Sequence, residues 1–155
     1  MPAGHQLAQI NIARMRAPID DPIMASFRAQ LEAVNAAAEA SSGFVWRLQD
    51  ESGDATAIRS FEDDLILVNM SVWQDVEMLQ DYTYRSDHIR LLRDRKHWFE
   101  PMDGPTIALW WIPTGHIPTP EEGKIHLAML MKNGPTAEAF AFHQSFDPPE
   151  SAQSA

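Results

Sequence analysis

The chain contains no cysteine. Disulfides and thiolate-held metals are therefore excluded, and the composition fits a cytoplasmic protein. It has no run of about 18 apolar residues, the length a membrane-spanning helix requires, so no membrane partner is expected. The opening residues MPAGHQLAQIN have neither a basic n-region nor an apolar h-region, so no secretory leader is expected. Positive charge is scarce: 12 Lys and Arg stand against 22 Asp and Glu, a net charge of −10. An acidic surface argues against nucleic acid or an anionic membrane as the main partner. Also missing are a Gly-rich phosphate loop, a Ser-His-Asp nucleophile pattern and a His cluster with metal spacing. Glu122 and His126 lie one turn apart on a helical stretch, but two ligands do not make a metal site, and they read as a solvated face.

What is abundant is adaptable apolar surface, with five Trp, seven Phe and eight Met in 155 residues. Such side chains serve a core and a subunit interface, or line a pocket for a flat ligand. The length suits one domain, expected over residues 1–147 with a disordered tail at 148–155.

Hydrophobic periodicity orders the elements. A strand is expected over 5–15. A helix follows Asp21 and Pro22, with Ile23, Phe27, Leu31, Val34 and Ala38 as its apolar stripe and Gly43 as its stop. FVWRLQ (44–49) reads as a strand with Phe44, Trp46 and Leu48 on one face and Val45, Arg47 and Gln49 on the other. The polar stretch 50–64 reads as a long loop able to shape a site. A third strand spans 65–73, and helical pattern resumes at DVEMLQDYTY. It restarts after Ser86 and Asp87 and runs from His88 to Phe99. A fourth strand spans 104–113. Thr119, Pro120 and Glu122 make a capping box for a further helix to about Lys132, closed by Gly134 and Pro135 and followed by an extended arm.

The order β-α-β-β-α-β, with its core in 5–113 and an added helix and arm over 119–146, is the ferredoxin-like α+β plan: an antiparallel sheet with helices on one face. Ile66, Val68, Met70 and Val72 make one face of the third strand wholly apolar. A second copy packed there would bury it, so a homodimer, pairing into a dimeric α+β barrel, is expected.

The other face of that strand carries Asn69, Ser71 and Trp73. An amide, a hydroxyl and an indole N–H either bond neighbouring elements or line a cavity between sheet and helices. Asn11 and Gln9 lie on one face of the first strand. His88 opens its helix, and His88, Leu92, Arg95 and Phe99 share one helical face. A helix N-terminus disfavours imidazolium, so His88 is expected neutral, able to act as a base or a ligand, or else to serve only structure. Arg95 faces an anionic substrate or pairs Asp87 or Asp94. Tyr82 and Tyr84 lie at the helix break and could cap a pocket mouth, or pack on a partner subunit. Trp110 and Trp111 point to opposite faces, so at most one lines a pocket.

The stretch VNMSVWQDVEMLQDYTYRSDHIRLL resembles the antibiotic-biosynthesis-monooxygenase group of dimeric α+β barrels. The resemblance lies in Asn69 and Trp73 at NxxxW spacing, the Gln74–Asp75 pair, and the Ser86-Asp87-His88 turn. The longer chain, with GHIPTPEEGKIHLAMLMKNGPTAEAFAF, looks like an uncharacterised bacterial branch of that superfamily. The resemblance implies a cofactor-independent monooxygenase, or a related proton-transfer enzyme, acting on a flat aromatic or quinone-like molecule. His88, Asn69 and Trp73 would be catalytic, with Asn11, Tyr84, Arg95 and Trp111 binding substrate. The same superfamily implies two alternatives. One is a haem-binding or haem-degrading protein with His88 as axial ligand. The other is a non-catalytic dimeric ligand-binding or scaffold protein.

Overall fold

The computed structural model describes residues 4–49, 61, 63, 65–85 and 93–149. The loop expected over 50–64 is thus largely outside the described residues, as are Ser86, Asp87 and His88 and the end of the tail.

Strand β1 (His5–Met15) is the middle of the sheet. One edge pairs with β3 (Ile66–Trp73). The other pairs with β5 (Ile107–Pro113) and, at its far end, with the short β4 (Phe99–Glu100). Strand β2 (Phe44–Arg47) lies outside β3, and every pairing is antiparallel. The result is a ferredoxin-like antiparallel sheet. Helices α1 (Ala25–Ala40) and α2 (Val76–Arg85) cover one face. Helix α3 (Pro120–Asn133) lies on the other.

Alternation along the strands divides the core. Ala8, Ile10 and Ile12 join Val68, Met70 and Val72 and the Trp110 and Ile112 of β5 on the α3 side, packed against Leu127 and Leu130. Leu7, Trp73 and Leu109 face α1 and α2, packed on Ala38 and Leu79. At the far end of β1 the same side carries Met15, against Met24, Phe27 and Trp98.

The apolar face that motivated the homodimer is therefore already covered within one chain: Val68, Met70 and Val72 are buried by α3. Its close approach depends on Gly123. A Cβ there would lie 2.7 Å from Ile10 Cδ1 and 3.2 Å from Met70 Cε. Trp110 adds a polar pin, its ring stacked on His126 at 4.5 Å and its Nε1 donating to Glu122 Oε2 at 3.3 Å. Glu122 Oε1 also meets His116 Nε2 at 2.7 Å. The pair expected on a solvated face thus holds α3 to the sheet. Only half of the expected capping box is seen: Thr119 Oγ1 accepts from Glu122 N at 3.1 Å, while the Glu122 carboxylate goes to His116 and Trp110. Beyond α3 the arm returns along β5, where Leu109 and Phe140 exchange backbone hydrogen bonds of 2.8 and 2.9 Å.

Two further expectations need correction. A bulge between Phe44 and Trp46 breaks the alternation of β2: Phe44 pairs with Trp73, Trp46 with Val72 and Arg47 with Ser71. Phe44 and Trp46 therefore face opposite sides. The helix expected to reach Phe99 instead tightens into a 3-10 turn at Arg95–His97, and Phe99 enters β4 opposite Met15. Its helical periodicity with Arg95 is not realised, because pairing with β1 satisfies the backbone there.

At the start of α1, Asp21 accepts from Ile23 N at 3.0 Å as a cap, but Pro22–Met24 is a 3-10 turn and the α-helix begins at Ala25. At the far end, Gly43 has φ of 85°, and a Cβ on it would lie 2.1 Å from Met78 Sδ of α2. Glycine there lets α1, β2 and α2 converge.

Candidate functional site

Between the sheet and helices α1 and α2 lies a cavity of about 600 Å³. Its floor is polar because Gln9 and Asn11 of β1 fall in register with Ser71 and Asn69 of β3. All four side chains meet there. Gln9 Nε2 donates to Asn69 Oδ1 at 2.7 Å and to Ser71 Oγ at 2.9 Å. Asn11 Nδ2 donates to Gln9 Oε1 and to Asn69 Oδ1, both at 3.0 Å. Gln9 and Ser71 are buried, so these bonds offset the cost of placing polar groups inside. The Asn69 oxygen is thus doubly occupied, which leaves its Nδ2 hydrogens for the cavity that Asn69 lines.

Trp73 stands differently from its expected role. It is fully buried, and its Nε1 donates to Ser71 Oγ at 2.8 Å. The indole can only donate, so it holds Ser71 from behind and does not offer its N–H to a ligand. Phe44 meets its ring edge-on and Tyr82 stacks on it at 5.1 Å.

Tyr82 lines the cavity from α2 and donates from its hydroxyl to Val34 O at 3.2 Å. Burial pushes this phenol well above its ordinary range, only partly countered by the charge of Arg47. The folded state favours the neutral phenol. Stability from Tyr82 is therefore complete below the ordinary phenol value, near 10, and declines as pH rises above it. In a Tyr84→Phe variant, which leaves Tyr82 as the single tyrosine, phenolate absorbance is expected to appear only as alkali unfolds the protein. Ionisation near pH 10 with native circular dichroism retained would contradict the buried placement.

Of the remaining expected residues, Asn11, Tyr84 and Arg95 all line the cavity. Tyr84 is half-exposed and meets Phe142 of the C-terminal arm edge-on at 5.9 Å, which brings the arm to the cavity. Trp111 is elsewhere, its Nε1 donating to Phe146 O at 2.8 Å beneath the arm. His88 lies outside the described residues.

Arg47 and Asn35 also line the cavity and were not singled out from the sequence. Arg47 reaches it because the bulge sets it opposite Ser71, on the helix-facing side. Its Nε donates to Glu39 Oε2 at 2.9 Å, and its side chain is only 11% exposed. The available signal was a lone cation inside an otherwise apolar strand. Among the described residues no group of three or more His, Asp or Glu could hold a metal ion, and no described helix is long and apolar enough to cross a membrane.

A ferredoxin-like sheet with a polar-floored cavity beneath two helices defines this as an α+β protein with a small-molecule-sized cavity. The chain belongs to the DUF3291 family, described as a domain of unknown function, which matches residues 6–155. No curated protein matches it. Similar solved structures include PA3566 from Pseudomonas aeruginosa, at 15% identity and a TM-score of 0.48, covering 75% of this chain and 99% of that one. Rv0793 from Mycobacterium tuberculosis is similar at 14% identity and a TM-score of 0.46, covering 74% and 99%. A dabb family protein with a ferredoxin-like fold from Mesorhizobium loti is similar at 14% identity and a TM-score of 0.42, covering 74% and 98%.

Proposed function

We propose that the cavity binds a flat, oxygen-bearing aromatic molecule, and that the protein is a cofactor-independent monooxygenase, or a related proton-transfer enzyme, of the antibiotic-biosynthesis-monooxygenase type. The observation that carries this reading is the Asn69 amide, its oxygen held by Gln9 and Asn11 and its N–H groups left to the cavity. Donors fixed in advance stabilise charge that develops on a substrate oxygen without reorganising. Phe27, Leu31 and Leu79 supply apolar walls for a ring.

In this chemistry the substrate supplies the electrons. Loss of a proton leaves an electron-rich anion that dioxygen can oxidise, while the protein orients the ring, excludes water and stabilises the anion. Among the described lining residues there is no carboxylate and no imidazole. The base in this proposal is His88. In the haem alternative His88 is likewise the residue assigned as axial ligand.

The test is oxygen uptake with anthrone- and quinol-like substrates. Asn69→Leu is expected to lower kcat about 100-fold, the usual cost of losing one such donor, with the fold retained. If Asn69→Leu and His88→Ala both turn over every accepted substrate at the wild-type rate, the assignment is wrong. A stoichiometric Soret shift on hemin addition, lost in His88→Ala, would replace it with the haem reading.

A further inference from the structure

We infer that the ligand of this cavity is an anion, an aromatic carboxylate or a molecule held as its enolate, whose charged oxygens are gripped jointly by Arg47 and Asn69. The inference rests on the proposed ligand site and adds the charge of its occupant. The chain as a whole carries −10. Yet the described residues lining the cavity include two guanidinium groups, Arg47 and Arg95, and no carboxylate. A guanidinium at the cavity wall, whose one carboxylate partner Glu39 is outside the described lining, favours an anionic ligand over a cationic one.

Arg47 is the stronger observation of the two. It is largely withdrawn from solvent, which is costly for a cation unless its bonds are met. Glu39, near the end of α1, takes only its Nε. The two Nη groups make no further bond among the described residues. Every buried side-chain nitrogen or oxygen described has a partner, so these Nη groups are not fully buried, and Arg47 lines the cavity. Arg47 pairs in register with Ser71, and Asn69 lies two residues along the same face of β3. Diagonal neighbours of this kind sit about 7–8 Å apart, within reach of a long side chain. One carboxylate can therefore take an Nη hydrogen on one oxygen and an Asn69 Nδ2 hydrogen on the other, a charge-assisted arrangement. Aromatic walls hold the ring behind it. Glu39 competes for the same guanidinium and keeps the empty site stable, because an isolated buried cation would not be tolerated.

The experiment is a calorimetric titration of the full chain with 2-naphthoate and with its neutral counterpart 2-naphthamide. The carboxylate is expected to bind about tenfold more tightly, the scale of one charge-assisted hydrogen bond. Arg47→Gln should bring the two to parity. Glu39→Gln, which leaves the guanidinium in place without its competitor, should tighten 2-naphthoate several-fold and leave 2-naphthamide unchanged. Should Arg47→Gln fail to fold, the Glu39→Gln comparison carries the test by itself. Equal affinities in the wild type, with both lowered by Asn69→Leu, would overturn the anion inference and keep the ligand site. Binding of neither probe, or binding indifferent to Asn69→Leu, would overturn both.

Discussion

A chain ending at Pro118 is expected to self-associate. Removing α3 and the arm uncovers Ala8, Ile10, Val68, Met70, Val72, Trp110 and Ile112, which together form one continuous apolar face. Each large side chain re-exposed costs about 1.5–3 kcal/mol, so the six large ones in this set together cost as much as the whole stability of a typical domain, about 5–15 kcal/mol. Contiguous apolar surface of this kind finds a partner or precipitates. Sedimentation of the shortened chain beside the full-length protein, at equal concentration, should give at least twice the mass per particle or insoluble material. A soluble monomer with an unchanged melting temperature would mean that α3 does not supply the cover that the packing assigns to it. The same experiment bears on the homodimer: within one chain α3 occupies the face where a second copy was expected.

Trp73→Ala is expected to destabilise the protein by about 3–5 kcal/mol, the usual cost of deleting a fully buried tryptophan side chain. Phe44, Tyr82 and Leu79 all lose a neighbour, and Ser71 loses a donor. Trp73→Phe is the milder change. It keeps a ring for Tyr82 to stack on and removes the hydrogen bond to Ser71 together with part of the indole's volume, a cost of about 1–3 kcal/mol. Because the indole never reaches the cavity, Trp73→Phe should bind 2-naphthoate with wild-type affinity, in contrast to Asn69→Leu. Urea denaturation gives the first quantity and calorimetry the second. If Trp73→Phe were as stable as the wild type yet lost ligand as completely as Asn69→Leu, the indole would be a direct donor after all.

The main strands and both faces of β3 were legible in the amino-acid sequence because strand periodicity is local. Val68, Met70 and Val72 alternate with Asn69, Ser71 and Trp73, and no tertiary contact is needed to read that. The Asp21 and Thr119 caps and the Gly43 stop were equally local, each set by a side chain and the few peptide groups beside it. Most of the long polar stretch, and His88, fall outside the described residues.

What the sequence by itself determined was therefore alternation, helix starts and stops, and the acidic overall charge. Which body covers each face was decided by the tertiary structure. An apolar strand face is equally satisfied by a second copy or by the chain's own helix, and Gly123, which lets α3 approach Ile10 and Met70 closely, favours the helix. The bulge in β2 was hidden too, since one extra residue leaves composition unchanged while setting Phe44 and Trp46 on opposite sides. Trp73 shows the same limit within the site. Its position on the polar face could be counted along the strand, but whether its N–H meets a ligand or Ser71 depends on what Ser71, Tyr82 and Phe44 place around it. Periodicity assigns a side chain to a face. Only the packing of distant segments determines whether that face holds space.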